Sequence, residues 1–478
     1  MKSIMKRLLN SLCNLNLLLN KKFDVPIFRV HSSNISVIKT PVDFYETLKN
    51  LSDQSTKRIC ISSLYIGTDH LEKDLVESFY QAKSKSPDLN LTILLDYNRA
   101  TRETPKSDQS NGPTSSKSIL LPLINQGANV NFYLTHLTSR HYGLWRRPKW
   151  NELISLHHMK LYIFDNNIII SGANLSDTYF TNRQDRYILI RDSPTLCDYF
   201  DQLIQTIGQF SLKLNTTGDF QLHDNWHYDP RKFFHRYLFK INAHKAIKNL
   251  NNDFSAKTTF NHHNINDDVV DTIVFPLLQM KSLKIRDEEK FTSCLFENQW
   301  PKSTRLDIAT GYFNLIQKYQ KKLTENSCLS PPTTILMASE EANGFYEGNG
   351  LLRYVPYVYT YYVRKFLQRI NKLSNPNQIS IRYYDRPKWS FHGKGIWLQT
   401  PEYYLTMVGS TNFGYRSVYR DNEAQLVIIT KNERLKETFQ SEFVDLVHHS
   451  RTIRNWQTDL PRIPFLIPFI SNIFRSLF

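Results

Sequence analysis

The chain contains one short pattern twice, first as His158-Met159-Lys160 followed by Ser171-Gly172-Ala173-Asn174, and again as His392-Gly393-Lys394 followed by Gly409-Ser410-Thr411-Asn412. Each copy combines a His-x-Lys unit with a Gly/Ser turn that ends in asparagine. A single His-x-Lys is common by chance, whereas two copies with matching trailing residues indicate a duplicated structural unit. The repeat predicts one functional site built from two similar halves.

An acidic residue follows each copy at the same spacing: Asp185 lies eleven residues after Asn174, and Glu423 lies eleven residues after Asn412. The run 156–164 suits a strand, on which His158 and Lys160 would point to the same side. An imidazole beside an ammonium group suits phosphate chemistry, because the ring nitrogen can attack phosphorus while the cation neutralises a non-bridging oxygen.

The run 167–171 reads as a second strand, paired with the first across a turn at Asp165-Asn166. This hairpin would bring Asn174 back beside His158, where its amide could donate to a phosphate oxygen. Asp185 would accept a hydrogen bond from the second imidazole nitrogen of His158 and fix its tautomer. The second half repeats the argument with His392, Lys394, Asn412 and Glu423.

Composition bounds the class of protein. A chain of 478 residues is long enough for two domains, or for one large domain made of two halves. The net charge of +16 favours nucleic acid, an anionic membrane or acidic substrates without choosing among them. Five scattered cysteines without a Cys-x-x-Cys argue against a disulfide scaffold and a zinc site. We expect no metal and no cofactor, because the histidine chemistry needs neither.

Strand-like runs alternate with helical patterns in both halves, which predicts an α/β sandwich in each. The predicted core strands are 60–66 and 91–96 in the first half, and 306–313 and 334–338 in the second. The predicted organisation is a targeting segment at 1–22, a first half at 23–240, an Asn-rich linker or insertion at 241–270, a second half at 271–450 and an apolar basic tail at 451–478.

Both ends of the chain suggest a location. Residues 1–22 carry five basic residues and no acid, with leucines on one helical stripe, which is typical of a mitochondrial presequence. A secretory signal and an ordinary surface helix are the alternatives. The tail after Pro461 is apolar, aromatic and basic, so it could lie in a membrane interface or pack into the core. No apolar run reaches the roughly 18 residues of a transmembrane helix.

With these motifs in hand, the chain resembles the phospholipase D superfamily, whose signature is His-x-Lys-x4-Asp followed by Gly-Ser-x-Asn. Within it, the chain is similar to the branch of eukaryotic mitochondrial phosphatidylglycerophosphate synthases. The similarity is carried by Ser63–Gly67, Phe164–Tyr187, Ala309–Asn314, Asn343–Phe345 and Gly409–Arg416. Two departures stand out: Ser-Gly-Ala-Asn replaces the usual Gly-Ser-x-Asn in the first unit, and Gln399 occupies the place of the second unit's Asp.

The resemblance implies two phospholipase D-like α/β/α sandwich halves related by pseudo-twofold symmetry, with one composite active site at their interface. It implies that CDP-diacylglycerol gives up CMP and that glycerol-3-phosphate accepts the phosphatidyl group through a phosphohistidine, with His158 as nucleophile and His392 as general acid/base. The implied catalytic residues are His158, Lys160, Asp165, His392 and Lys394. The supporting or phosphate-binding candidates are Asn174, Asp185, Asn412, Glu423, Arg183, Arg186, Arg416 and Arg420.

Several alternatives share these motifs. A cardiolipin synthase, a phospholipase D or a nuclease would use the same histidines, and a catalytically inactive membrane or nucleic-acid binding module is the non-enzyme alternative. Two intact His-x-Lys pairs argue against the last, and the apolar end of the chain argues against a nuclease. From its position alone, Asp165 would brace the hairpin turn. The expected location is the mitochondrion, peripheral to the inner membrane. The expected partner is the anionic mitochondrial membrane surface, and no nucleic acid is expected.

Overall fold

The structure is a computed structural model that describes residues 25–103, 113–134, 155–260, 271–297, 300–301, 303–325, 331–346 and 353–473. The expected targeting segment at 1–22 and the end of the expected linker, 261–270, lie outside the described residues. The strands are β1 (Phe28–Val30), β2 (Ile35–Ile38), β3 (Arg58–Ser62), β4 (Asn90–Asp96), β5 (Asn129–Tyr133), β6 (Leu161–Phe164), β7 (Asn167–Ser171), β8 (Arg183–Gln184), β9 (Tyr187–Ile190), β10 (Leu212–Leu214), β11 (Phe220–Leu222), β12 (Thr272–Met280), β13 (Ile285–Arg286), β14 (Arg305–Thr310), β15 (Thr333–Ala338), β16 (Ile379–Tyr384), β17 (Ser390–Phe391), β18 (Gly395–Gln399), β19 (Tyr404–Gly409), β20 (Asn422–Thr430) and β21 (Ser450–Ile453).

Helices alternate with these strands. They are α1 (Pro41–Gln54), α2 (His70–Lys85), α3 (Tyr97–Ala100), α4 (Ser116–Asn125), α5 (Asp177–Thr181), α6 (Pro194–Gln209), α7 (Arg236–Phe260), α8 (Asp287–Glu297), α9 (Gln317–Glu325), α10 (Val355–Ile370), α11 (Tyr415–Tyr419), α12 (Glu433–His448) and α13 (Ile467–Ile473).

Two mixed sheets have the same central topology. In the first sheet, β3, β4 and β5 run parallel, and β3 continues antiparallel into β6, β7 and β9. In the second, β14, β15 and β16 run parallel, and β14 continues antiparallel into β18, β19 and β20. The prediction of two similar α/β halves is therefore confirmed.

Three apolar clusters hold the layers together. One cluster lies between the two sheets and includes residues of α6, α7 and α12 from both halves. The other two lie on the outer faces, where α1, α2 and α4 cover the first sheet and α8, α9 and α10 cover the second. Because both faces of each sheet are covered, strands such as β6 and β7 read as nearly continuous apolar runs.

The segment expected to be an Asn-rich linker is largely helical. Up to residue 260 it belongs to α7, which packs against α6 and connects the two sheets. Phe239, Ala243, Ile247, Leu250 and Phe254 are buried along one side of α7. Their spacing of three or four residues is that of a helix face, which the polar composition of the segment obscures.

The tail is anchored to the second half and also presents apolar side chains to solvent. Leu460 and Ile467 are buried, and the hydroxyl of Tyr362 on α10 donates to the carbonyl of Ser471 at 3.3 Å. Phe465 and its neighbours Leu466 and Phe469 are exposed. The tail thus has buried residues suited to packing into the core and exposed apolar residues suited to a membrane interface. Within the part of the chain that the structure describes, none of the helices combines the length and the apolar character needed to cross a bilayer.

Candidate active site

Each histidine-bearing segment is held by the opposite half. The N–H of His158 donates to the carbonyl of Asn422, and the N–H of Asn422 donates to the carbonyl of Leu156, both at 2.8 Å. In the equivalent arrangement, β17 pairs in parallel with β8, and the N–H of His392 donates to Gln184 at 2.8 Å. The sequence predicts His158 on a hairpin strand, but in the structure it lies in a segment just before β6. The reason is that its backbone pairs with the other half.

Because each histidine segment pairs with the opposite half, each acid also contacts the histidine of the opposite half. Nδ1 of His158 lies 2.9 Å from Oε2 of Glu423, and Nδ1 of His392 lies 2.6 Å from Oδ2 of Asp185. The expectation that each acid serves the histidine of its own half was wrong. The reason is geometric: Asn422 and Gln184 pair with the opposite histidine segments, and each directly precedes one of the acids.

The carboxylates define which imidazole nitrogen can react. A carboxylate at Nδ1 holds the ring as the Nδ1–H tautomer and leaves the lone pair at Nε2. Burial lowers the pKa of His158, and burial together with Lys394 lowers that of His392. A neutral ring with its lone pair at Nε2 is suited to nucleophilic attack, and a ring that also carries a proton at Nε2 is suited to donate that proton.

Each lysine of the repeated unit lies against its histidine. Nζ of Lys160 donates to the carbonyl of His158 at 2.7 Å. Nζ of Lys394 lies 2.6 Å from Nδ1 of His392 and donates to Oδ2 of Asp185 at 3.3 Å. Burial lowers the pKa of both ammonium groups, that of Lys394 to about 8. The site thus places two buried lysine amines beside two imidazoles, and their ammonium forms are suited to a phosphoryl group.

The unusual Ser-Gly-Ala-Asn turn has a steric explanation. A Cβ atom at Gly172 would lie 2.6 Å from Oδ1 of Asp185 and 2.8 Å from Nζ of Lys394. The corresponding residue of the second unit is Ser410, whose hydroxyl donates to Glu423. Asp185 and Lys394 occupy the space that a side chain at position 172 would need, so glycine fits there in the first unit.

An aromatic and basic cluster surrounds His392. The hydroxyl of Tyr179 lies 3.3 Å from Nε2 of His392 and accepts from the amide of Asn174 at 3.2 Å. The guanidinium of Arg183 lies 4.6 Å from the Tyr179 ring centre and donates to the hydroxyl of Tyr312 at 2.8 Å. Its buried Nε has no hydrogen-bond partner among the described residues, so Arg183 remains a candidate for a substrate phosphate.

Sequence reasoning missed Tyr179 and Tyr312, although one signal existed. Tyr179 lies five residues after Asn174, and Ser417 stands at the same distance after Asn412. The hydroxyl of Ser417 accepts from the backbone N–H of Asn412 at 3.1 Å. The repeat therefore places a phenol on the His392 side and a small hydroxyl at the equivalent position. The amide oxygens of Asn174 and Asn412 are buried and have no hydrogen-bond partner among the described residues, and a flipped amide would present donors there.

Arg186 is not placed to bind phosphate. Its guanidinium donates to both carboxylate oxygens of Glu442 at 2.8 Å and to the carbonyl of Met407 at 2.7 Å. It also lies 3.7 Å from the ring centre of Trp397. Arg186 therefore joins the halves as a buried structural ion pair, which corrects the sequence-based expectation.

The other two predicted arginines lie just before β20: Arg416 is within α11 and Arg420 directly follows that helix. Nη2 of Arg416 donates to Asp421 at 3.3 Å, and the carbonyl of Arg420 accepts from Ser155. Asp421 also accepts from the N–H of Leu156 at 2.8 Å, so this cluster supports the segment that carries His158.

Asp165 lies at the hairpin turn and not in the site. Its backbone adopts a positive φ of 51°, and its carboxylate accepts from the N–H groups of Thr56, Lys57 and Arg58 at 2.8 to 3.0 Å. It occupies the end of β6 opposite to Lys160. We therefore remove Asp165 from the catalytic set and assign it the brace that its position suggested.

Comparisons with known proteins show the family of the chain. A family model described as a cardiolipin synthase, phospholipase D-like domain matches residues 48–207. The chain is 35% identical over 467 residues to a probable CDP-diacylglycerol–glycerol-3-phosphate 3-phosphatidyltransferase of Dictyostelium discoideum, covering 94% of this chain and 78% of that one. The mitochondrial CDP-diacylglycerol–glycerol-3-phosphate 3-phosphatidyltransferase of Homo sapiens is 33% identical over 488 residues, covering 94% and 84%. The chain belongs to this phosphatidyltransferase family.

The fold of this phosphatidyltransferase family member also has a solved counterpart. The crystal structure of a phosphatidylserine synthase from Haemophilus influenzae matches with a TM-score of 0.68 and 18% identity, covering 95% of both chains. This match shows a common fold over both halves.

Among the described residues, no group of three or more His, Cys, Asp or Glu side chains is placed to hold a metal ion.

Proposed function

We propose that the protein makes phosphatidylglycerophosphate and CMP from CDP-diacylglycerol and glycerol-3-phosphate, in the synthesis of phosphatidylglycerol and cardiolipin. The observation that carries the proposal is the pair of buried imidazoles, each with Nδ1 on a carboxylate of the opposite half. Relatives that are 32–35% identical over most of the chain carry the name of this activity.

In the first step, Nε2 of His158 attacks the phosphorus that carries diacylglycerol, and the bond from that phosphorus to the CMP oxygen breaks. Protonated His392 gives its proton to the departing CMP. In the second step, neutral His392 removes the proton from a glycerol hydroxyl, whose oxygen attacks the phosphohistidine and releases His158. The assignment of nucleophile and acid follows family analogy, and trapping of the phosphoenzyme on His392 would reverse it.

Charge placement supports this order. Lys160 and Lys394 are buried beside the imidazoles, where a low dielectric strengthens their attraction for the negative oxygens of the phosphoryl group. Arg183 lies on the His392 side, where the acceptor must enter for its hydroxyl to reach that base. We assign Arg183 to the phosphate of glycerol-3-phosphate, since guanidinium groups bind phosphate through paired N–H donors.

The proposed location is the mitochondrion, at the surface of the inner membrane. Several relatives are named as mitochondrial. The composition of residues 1–22 suits a presequence, and the net charge of +16 favours an anionic membrane surface as partner. The exposed side chains of the tail, Phe465 and Phe469, are suited to contact that surface. Nucleic acid is not a proposed partner.

The test is incubation of the purified, detergent-dispersed protein with CDP-diacylglycerol and labelled glycerol-3-phosphate, without and with EDTA. We expect labelled phosphatidylglycerophosphate and CMP in both cases. His158→Ala and His392→Ala should each abolish product formation, and the double variant should be no worse, because groups that act as a unit are non-additive. His70→Ala, a change at an exposed histidine, is the matched control.

Three results would contradict the proposal. One is a substantial fraction of activity in either single variant. The second is product only when phosphatidylglycerol replaces glycerol-3-phosphate, which would indicate a cardiolipin synthase. The third is hydrolysis of DNA with no lipid product, which would indicate a nuclease.

A further inference from the structure

An exposed aromatic cluster stands at the start of α7. Phe233, Phe234, Tyr237 and Leu238 expose 65%, 87%, 73% and 43% of their surface, and we call these four residues the Phe233 patch. Single exposed apolar residues are normal on a protein surface, whereas four within six positions form a contiguous apolar patch that marks an interaction site.

The patch rests on a firm support. Phe233 and Phe234 belong to a 3-10 turn, Phe233–His235, that leads directly into α7, and their rings lie 5.5 Å apart. The next residues on the inner side of the helix, Phe239 and Ala243, are fully buried in the core between the sheets. The patch is therefore the outward side of an anchored helix start.

The charge around the patch identifies its partner. Residues 231–240 contain four Lys or Arg and no acid. The nearest preceding acid, Asp229, is neutralised by Arg231 at 2.9 Å. Aromatic rings at headgroup depth, surrounded by cations that meet lipid phosphates, form the pattern of an anionic membrane interface. A protein partner would not require this exclusion of acids.

The patch is also connected to the active site. Phe239 contacts Phe210 with ring centres 5.7 Å apart, Phe210 contacts Tyr133 at 6.1 Å, and Tyr133 contacts His157 at 5.6 Å. His157 directly precedes the proposed nucleophile, His158. Three ring contacts through the packed core thus connect the helix start to the segment that carries His158.

We propose that the Phe233 patch inserts into the headgroup region of an anionic bilayer and holds the active site at the lipid surface. The inference rests on the proposed function for one point only, namely that the donor substrate is a diacyl lipid. Phe233 and Phe234 supply the apolar contact, and Lys232 and Arg236 supply the electrostatic attraction.

The test uses flotation of the full chain with phosphatidylcholine vesicles, with and without phosphatidylglycerol. We expect binding to the anionic vesicles, and a loss of affinity of about tenfold or more in the double variant Phe233→Ser, Phe234→Ser, because two large side chains no longer leave water. The double variant Val42→Ser, Val444→Ser removes two exposed apolar residues elsewhere and should bind like the wild type.

Activity on detergent-dispersed substrate separates this inference from the proposed function. The Phe233/Phe234 variant should keep wild-type activity there and lose it on vesicles. Wild-type binding by that variant, equal binding of the wild type to neutral vesicles, or loss confined to a Phe465→Ser, Phe469→Ser variant would each overturn the inference. A wild type that binds vesicles but makes no product in detergent would instead overturn the proposed function.

Discussion

Replacing Glu423 with glutamine tests the crossed arrangement of the site most directly. The change keeps the shape of the side chain but removes the charge that Nδ1 of His158 meets at 2.9 Å. A hydrogen bond to a charged group contributes roughly 1.5 to 3 kcal/mol, so kcat should fall roughly 10- to 150-fold. KM should change little, because the carboxylate lies behind the imidazole and not against the substrate.

The assay is release of CMP from detergent-dispersed CDP-diacylglycerol with saturating glycerol-3-phosphate, alongside a thermal melt. Asp165→Asn is the matched control, since it makes the same kind of change at a carboxylate outside the site. A Glu423→Gln variant that keeps more than about a third of the wild-type kcat, a cost below about 0.7 kcal/mol, would refute the reasoning.

The crossing itself can be observed by NMR on protein labelled with 15N-histidine. A strongly hydrogen-bonded Nδ1–H gives a downfield proton signal, which can be assigned by its loss in His158→Ala or His392→Ala. Glu423→Gln should remove the His158 signal, and Asp185→Asn should remove the His392 signal. The opposite correspondence would show that each acid serves its own half.

Three further predictions concern stability. Asp165→Asn should lower the free energy of unfolding by about 1 kcal/mol with kcat unchanged. Burial opposes the shift, but three backbone N–H groups keep the pKa of Asp165 below its ordinary value. The stability that this carboxylate contributes is therefore present above about pH 4 and is lost as the pH falls through the folded-state pKa, and the variant should lack this loss in acid melts. Arg186→Met should cost about 3 to 5 kcal/mol by leaving Glu442 buried without its cation, whereas an unchanged melt with a raised substrate KM would return Arg186 to the binding site. Truncation after Leu460 should lower the melting temperature because Ile467 is buried, and an unchanged melt would show that the tail contributes nothing to the core.

Much of the fold and of the site chemistry was accessible from the sequence. The repeated His-x-Lys units predicted two halves, and the two sheets repeat the same central topology. The hairpin around Asp165 followed from two apolar runs and a turn, because strand pairing between neighbours in the chain depends on local pattern. Helix α7 was missed because the polar composition of the segment obscures its apolar residues, whose spacing of three or four places them on one helix face against α6.

The repeated motif alone singles out the residues that we propose carry the chemistry: two imidazoles, two ammonium groups and two acids at matched spacings. How these groups combine follows only from the folded chain. Spacing along the chain reports which groups are close within one half, and it placed Asp185 with His158. The parallel pairing of β17 with β8, and of the His158 segment with Asn422, instead brings each acid to the opposite imidazole. Because such pairing forms between segments far apart in sequence, neither half holds a complete site alone.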